Sequence, residues 1–191
     1  MPNMREVDDV PEGHDIGCRN GTLRQLTGII LIEGVDGTGK TTLARTLQQV
    51  SSHRALFHAG PPQTASAFRE YVRPLELAND GWTIICDRWH LGEMVWPTIF
   101  GRESMYTPGT GALSFNWIEE HIKAIGVPVT AIFLQRDLEG IIAELYDRKE
   151  ATDYIEHATQ LYNDAIGRSA FNWNVTSLWE VLDGESLCIS G

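Results

Sequence analysis

Cysteine is scarce: Cys18, Cys86 and Cys188 are the only three in 191 residues, widely spaced, with no CxxC and no zinc-spaced histidine pair. Such a set builds neither a disulfide framework nor a tetrahedral zinc site, and it reads as a protein of the reducing cytoplasm. Basic residues are also few, 15 against 26 acidic ones, for a formal net charge of −11. That excess repels a polynucleotide backbone and an anionic membrane surface, so neither is expected as a partner. A small phosphate compound is not excluded, because converging N–H groups and a few cations make a positive pocket inside an acidic envelope. Long apolar runs are missing as well, and none approaches the roughly eighteen residues of a membrane span. Residues 1–25 are polar and rich in acids, prolines, glycines and asparagines, without the apolar stretch of a signal peptide. They are expected to form a flexible extension ahead of a single domain at 26–191.

What is present suits one substantial core: 42% of residues are hydrophobic, with six Trp, six Phe and five Tyr. Gly28 to Glu33 is a short continuous apolar run, as in a strand buried on both faces of a parallel sheet. Lys40 to Val50 reads as a helix, Ala55 to His58 as a weaker strand, and Ala65 to Ala78 as a helix broken at Pro74. Trp82 to Asp87 is a third strand. Leu91 to Arg102 is aromatic and irregular, with Pro97 and Gly101 inside it. Ser114 caps a helix running to about Ile125, and Pro128 to Leu134 is a fourth strand. Asp137 to Arg148 and Thr152 to Gly167 are amphipathic helices, and Leu178 to Asp183 is expected as the fifth strand. Alternation of strands and helices predicts an α/β fold with right-handed crossovers.

Between the first strand and its helix lies Gly34-Val35-Asp36-Gly37-Thr38-Gly39-Lys40-Thr41, a complete phosphate-cradling loop. Its glycines let successive N–H groups turn toward one anion, and Lys40 and the helix N-terminus add positive charge. The Thr41 hydroxyl is placed for the magnesium that bridges the β- and γ-phosphates of ATP, and Thr42 follows on the helix. The chain lacks the Asn-Lys-x-Asp that reads guanine in switch proteins. It also lacks the Asp-Glu that ends a strand in motor-type ATPases. Its third strand ends instead in Asp87-Arg88. There the acid suits the magnesium shell, and the arginine offers a bidentate fork to a second phosphate. A buried Asp-Arg ion pair closing the strand is the alternative for the dipeptide alone.

Ile32-Glu33-Gly34-Val35-Asp36-Gly37-Thr38-Gly39-Lys40-Thr41-Thr42 with Cys86-Asp87-Arg88-Trp89 resembles the thymidylate kinase family. The resemblance is closest to the shorter deoxynucleoside monophosphate kinases of bacteriophages. It runs from about Gly28 to Leu182-Asp183-Gly184. It implies a three-layer P-loop NTPase fold, with a parallel five-stranded sheet between helices and a helical lid at about 137–152. It further implies ATP with Mg2+ as cofactors, a deoxynucleoside monophosphate as the small-molecule substrate, and a possible homodimer. The host cytoplasm would be its location if a phage encodes it. Carried over by position, Lys40 stabilises the transferring phosphoryl group and Asp36 accepts from the acceptor's 3′-hydroxyl. Arg88 grips the acceptor's phosphate, and Asp87 orients magnesium through water. Because position 37 is Gly rather than Arg, the charge-stabilising arginine falls to the lid: Arg148, with Lys149 and Arg136 behind it. Arg136 and Asp183 fall among the cofactor-binding positions.

The sequence departs from the family around the base. Between Gly60 and Gly81 it is short, and Phe68, Arg69, Tyr71 and Arg73 are the local candidates for stacking and edge reading. After Arg88, the expected Ser-rich turn is replaced by Trp89-His90-Leu91-Gly92-Glu93-Met94-Val95-Trp96. Trp96 falls near the family's Tyr, and Glu93 is either a base acceptor or an exposed carboxylate. Trp89, Trp96 and Phe100 have core packing as the alternative. The substrate range is therefore open: dTMP first, then dUMP, dGMP or dCMP. A deoxynucleoside kinase and a non-catalytic ATP-binding module are the rival readings.

Overall fold

A computed structural model describes residues 21–61, 71–106 and 114–183. Five strands, β1 (Ile29–Glu33), β2 (Arg54–His58), β3 (Thr83–Asp87), β4 (Val129–Leu134) and β5 (Trp173–Thr176), form one parallel sheet in the order β2-β3-β1-β4-β5. All five residues of β1 and of β3 are buried, as expected for strands covered on both faces.

The helices are α1 (Gly21–Gln25), α2 (Lys40–Gln49), α3 (Gly92–Phe100), α4 (Phe115–Ala124), α5 (Leu138–Asp147), α6 (Ile155–Arg168) and α7 (Leu178–Asp183), with a 3₁₀ helix at Arg73–Asp80. Strand periodicity sorts the core into layers. Ile30 and Ile32 point to Leu43, Leu47 and Val181 of α2 and α7, whereas Ile29 and Leu31 point to Leu75, Ile118 and Ile122 on the opposite face. A third cluster joins α3, α5 and α6 through Val95, Trp96, Leu145, Ile155 and Tyr162 against Phe133 of β4. The result is the three-layer α/β arrangement that the sequence predicts.

Several local expectations are corrected. Residues 21–25, assigned to a flexible extension, are helical, and Leu23 is fully buried in the core. Residues 1–20 lie outside the described residues, as do 65–70 of the expected Ala65–Ala78 helix. The expected break near Pro74 is present: Tyr71 is α-helical, and Pro74 stands in the first turn of a 3₁₀ helix, where a proline forfeits no helical hydrogen bond. The irregular stretch at Leu91 to Arg102 is α3 with Pro97 inside it. The proline leaves the Glu93 carbonyl without its helical donor, and the Ser104 hydroxyl donates to that oxygen at 2.7 Å. The fifth strand is Trp173–Thr176, not Leu178–Asp183, which is helical. Ser177 and Glu180 exchange hydrogen bonds there, Ser177 N–H to Glu180 Oε2 at 2.7 Å and Glu180 N–H to Ser177 Oγ at 3.3 Å. This is a capping box, present in the sequence as Ser177-x-x-Glu180. Ser114 caps α4 as expected, accepting from Trp117 N–H at 3.1 Å.

Arg54 fastens the α1–α2 layer to the sheet. Its guanidinium donates to the carbonyls of Leu47 at 2.9 Å, Leu23 at 2.8 Å and Leu26 at 2.9 Å, all carbonyls at or just beyond helix C-terminal ends. Arg54→Met removes these donors while keeping the apolar stem, and is expected to lower stability by about 3 kcal/mol. An unchanged urea midpoint for this variant would show that those carbonyls do not depend on Arg54.

Candidate active site

The segments that follow β1, β3 and β4 leave the carboxyl end of the sheet carrying Asp36 and Lys40, Arg88, and Arg136, with Asp87 closing β3. Gly34 (φ 146°) and Gly39 (φ 92°) hold conformations that side chains resist. A Cβ at Gly34 would lie 2.5 Å from the Leu134 carbonyl oxygen, and one at Gly39 would lie 2.7 Å from Leu178 Cδ2. Gly34 therefore needs glycine on space as well as on φ, because a backbone oxygen blocks it, whereas at Gly39 the leucine tip can yield and the φ is the constraint. Thr38 Oγ donates to the Val35 carbonyl at 2.9 Å and bridges the loop internally.

Lys40 is buried, donates from Nζ to the Val35 carbonyl at 2.6 Å, and lies 3.7 Å from Asp36 Oδ1. Burial and then the Arg88 charge pull its pKa down to about 8, against the opposing pull of Asp36, Glu33 and Asp87. Thr41 Oγ donates to Asp87 Oδ2 at 2.8 Å, and His58 Nδ1 lies 3.1 Å from the same oxygen. Burial alone would raise the Asp87 pKa, but the hydrogen bonds from His58 and Thr41, with the charges of His58 and Lys40, hold it below its ordinary value. Asp87 Oδ1 is buried with no hydrogen-bond partner.

Arg88 takes a positive φ of 61° and folds back, its Nη2 donating to Asp36 Oδ1 at 2.6 Å. Its backbone N–H is tied to the Ile32 carbonyl at 3.0 Å. Tyr154 OH donates to Asp36 Oδ2 at 3.2 Å from the N-cap of α6. The Asp36 carboxylate thus joins the phosphate loop, the end of β3 and the start of α6.

Two cavities meet at Arg88. One, of about 730 Å³, is lined by Gly37, Thr38, Gly39, Lys40, Thr41 and Thr42, and beyond them by Arg136, Arg148 and Trp179. The other, of about 210 Å³, is lined by Asp36, His58, Arg88, Trp89, Glu93, Trp96, Phe100 and Arg102. Arg136 Nη1 donates to the Gly37 carbonyl at 3.3 Å, and Arg148 is half-exposed, within 4.0 Å of Glu144 and 3.4 Å of Glu150. Asp183 does not line the first cavity; it is exposed at the end of α7. Phe68 and Arg69 lie outside the described residues. Among the described residues no helix is long and apolar enough to cross a membrane, and no cluster of three or more His, Cys, Asp or Glu side chains could hold a metal ion.

Some groups escaped the sequence. Glu93 is neither a free acceptor nor an exposed carboxylate: it is buried and held by Arg102, with Nη2 at 2.5 Å from Oε1 and Nη1 at 3.0 Å from Oε2. No short-range pattern announces a partner nine residues away. Trp179 is 69% exposed and lines the larger cavity. His58, noted in the sequence only as the end of a strand, contacts Asp87. Glu33 is fully buried at the end of β1 and accepts from the N–H groups of Trp89 at 2.7 Å and Gly92 at 3.3 Å and from Tyr162 OH at 3.2 Å. Its burial raises its pKa despite the His90 charge and those N–H groups.

No family model matches the chain, and no curated protein sequence does. Solved structures do. The YorR protein of Bacillus subtilis, crystallised with phosphorylated GDP, superposes at a TM-score of 0.58 and 20% identity, over 77% of this chain and 84% of that one. Such likenesses show the fold, a three-layer α/β P-loop NTPase arrangement. A putative polyphosphate kinase 2 from Pseudomonas aeruginosa matches at 0.58 and 17% identity, and polyphosphate kinase 2 from Arthrobacter aurescens at 0.54 and 14%. These matches cover 89% and 82% of this chain, which spans 41% and 63% of theirs.

The Lys40 pKa gives a linkage with a definite sign. A lysine at about 8 in the free protein is half-deprotonated there, and a bound anion raises its pKa, so anion binding takes up a proton. Titration calorimetry with ATP at about pH 8, in two buffers of different ionisation heat, is expected to show uptake of about half a proton. Absence of uptake would place Lys40 away from the bound phosphates.

Proposed function

We propose that the protein is a deoxynucleoside monophosphate kinase, transferring the γ-phosphoryl group of ATP to a dNMP, dTMP foremost, with dUMP, dGMP and dCMP as further candidates. The observation that carries this reading is the pair of cavities sharing Arg88, one lined by the phosphate loop and the other by aromatic rings beside Asp36. The larger cavity suits the donor, whose base would meet Trp179 and Arg136 of its lining. The smaller suits the acceptor, with Trp96 and Phe100 stacked at 5.7 Å along its wall. A phosphorylated nucleotide in the YorR complex agrees with such a site. A polyphosphate donor would leave Trp179 and Arg136 without a base to meet.

The chemistry follows from the placement. An oxygen of the acceptor's phosphate forms a bond to the γ-phosphorus while the bond to the β,γ-bridging oxygen breaks, and ADP leaves. The loop N–H groups and Lys40 hold the donor phosphates, Arg88 holds the acceptor's phosphate, and Asp36 receives its 3′-hydroxyl. Thr41 and Asp87 fit Mg2+ and would hold it: Asp87 Oδ1 is buried without a partner, and the Thr41 hydroxyl lies 2.8 Å from Oδ2 of the same carboxylate. When bound, the ion neutralises charge on the β- and γ-phosphates. Arg148 would leave Glu144 and Glu150 for the transferring group as the lid segment closes, with Lys149 and Arg136 behind it.

A nucleoside kinase would use Asp87 as a base on a hydroxyl. Two hydrogen bonds that depress its pKa make it a weak base, and Arg88 would then face no acceptor phosphate. A non-catalytic ATP-binding module has no use for the second cavity. The deciding assay measures ADP release across the deoxy- and ribonucleoside monophosphates, with nucleosides as controls. At least one deoxynucleoside monophosphate is expected to exceed the ATP-only blank; if none does, the kinase reading fails. Arg148→Ala is expected to lower kcat by about 100-fold and leave ATP affinity within about two-fold. An unchanged kcat would remove Arg148 from the mechanism.

A further inference from the structure

The Asp36 carboxylate is more heavily engaged than a sugar-binding role requires. Oδ1 accepts from Arg88 at 2.6 Å and lies 3.7 Å from Lys40, while Oδ2 accepts from Tyr154 OH at 3.2 Å. Both oxygens therefore have partners on the protein, and only one of those partners is neutral. The Arg88 and Lys40 contacts are reinforced by charge, so the phenol is the contact that yields most readily to another hydroxyl. Burial and the Asp36 charge push the Tyr154 pKa up to about 12, so at neutral pH it is a full O–H donor.

Tyr154 is also tied to the acceptor cavity. Its ring stands edge-on to Trp96, at 5.8 Å and 78°, and to Phe100, at 5.9 Å and 63°, and both of those residues line that cavity. It stands at the N-cap of α6, directly after the segment 148–153 that follows α5. One side chain thus touches the phosphate loop and the aromatic wall, on a residue that directly follows the lid segment in the chain.

We infer that Tyr154 is a displaceable positioning residue, whose hydroxyl occupies the Asp36 oxygen that the acceptor's 3′-hydroxyl takes on binding. The inference rests on the monophosphate kinase reading for the identity of the acceptor. One hydroxyl replaces another on Oδ2, and Tyr154 leaves the loop with the acceptor seated. The acceptor's sugar thereby acts directly on the segment that carries Arg148. A sugar without a 3′-hydroxyl has nothing to exchange and leaves the Tyr154–Asp36 contact in place.

The test measures dissociation constants by calorimetry for dTMP and dGMP, each beside its 3′-deoxy analogue, on the full chain and on Tyr154→Phe, which keeps the ring. With the competing hydroxyl gone, the better-binding monophosphate is expected to tighten about three- to ten-fold, while its 3′-deoxy analogue stays within about two-fold. A purely structural role for Tyr154 would move both ligands together. Equal shifts, weaker binding of the 3′-hydroxyl ligand alone, or no binding of either monophosphate to the parent chain would each overturn the inference. A thermal unfolding midpoint close to that of the parent chain confirms that the variant is folded. Because binding is read without turnover, the selective shift without phosphoryl transfer would count against the kinase reading and leave the Tyr154 inference standing.

Discussion

The site depends on a buried carboxylate that does no chemistry. Glu33 ends β1 with no solvent exposure, and its two oxygens collect the N–H groups of Trp89 and Gly92 and the hydroxyl of Tyr162. An uncompensated buried carboxylate is strongly unfavourable, so these three donors are obligatory rather than ornamental. Together they fix the turn after β3 and the start of α3 to the strand that launches the phosphate loop. They also anchor α6 through Tyr162. The loop, the Asp87-Arg88 turn and α6 are in this way referred to one residue.

That constraint explains how Arg88 can occupy a left-handed conformation. A non-glycine residue there costs roughly 1–3 kcal/mol. The turn is held on both sides, by Arg88 N–H to the Ile32 carbonyl and by Trp89 N–H to Glu33. The strained backbone turns the guanidinium back onto Asp36 rather than along the strand direction. Arg88 then stands at the junction of the two cavities, where a donor and an acceptor phosphate would approach each other. The strain and the proposed function fall on the same residue.

The phosphate loop was the most legible part of the chain, because three glycines at fixed spacing between an apolar run and a helix encode a backbone path directly. Asp87-Arg88 was legible because strand ends are short-range features. The aromatic segment at Leu91 to Arg102 was misread because Pro97 and Gly101 suggest a loop. Whether a proline is tolerated depends on a distant hydroxyl, here that of Ser104, that can satisfy the freed carbonyl. The fifth strand was misplaced because Trp173–Thr176 is a short edge strand with a single buried residue, whereas the apolar run that followed it belongs to a capped helix. The Glu93–Arg102 pair and the Tyr154–Asp36 contact lie nine and 118 residues apart, and the latter forms through tertiary packing, with α6 held to the end of β1 by Tyr162 and Glu33 and packed against α3. Of the smaller cavity, the sequence reading named Asp36, Arg88, Trp89, Glu93 and Trp96, but neither His58 nor Arg102 nor their pairings.

The central claim is that two phosphates are held face to face, one on the loop and one on Arg88. A pair of nucleosides joined through a phosphate chain measures this directly. Three donor phosphates, the acceptor's own and one bridging the gap of a loose transition state make five, whereas a nucleoside acceptor makes four. The account predicts that adenosine and thymidine joined by five phosphates bind about 100-fold more tightly than ATP and more tightly than the four-phosphate compound. Tighter binding of the four-phosphate compound, or affinity no better than that of ATP for both, would contradict it.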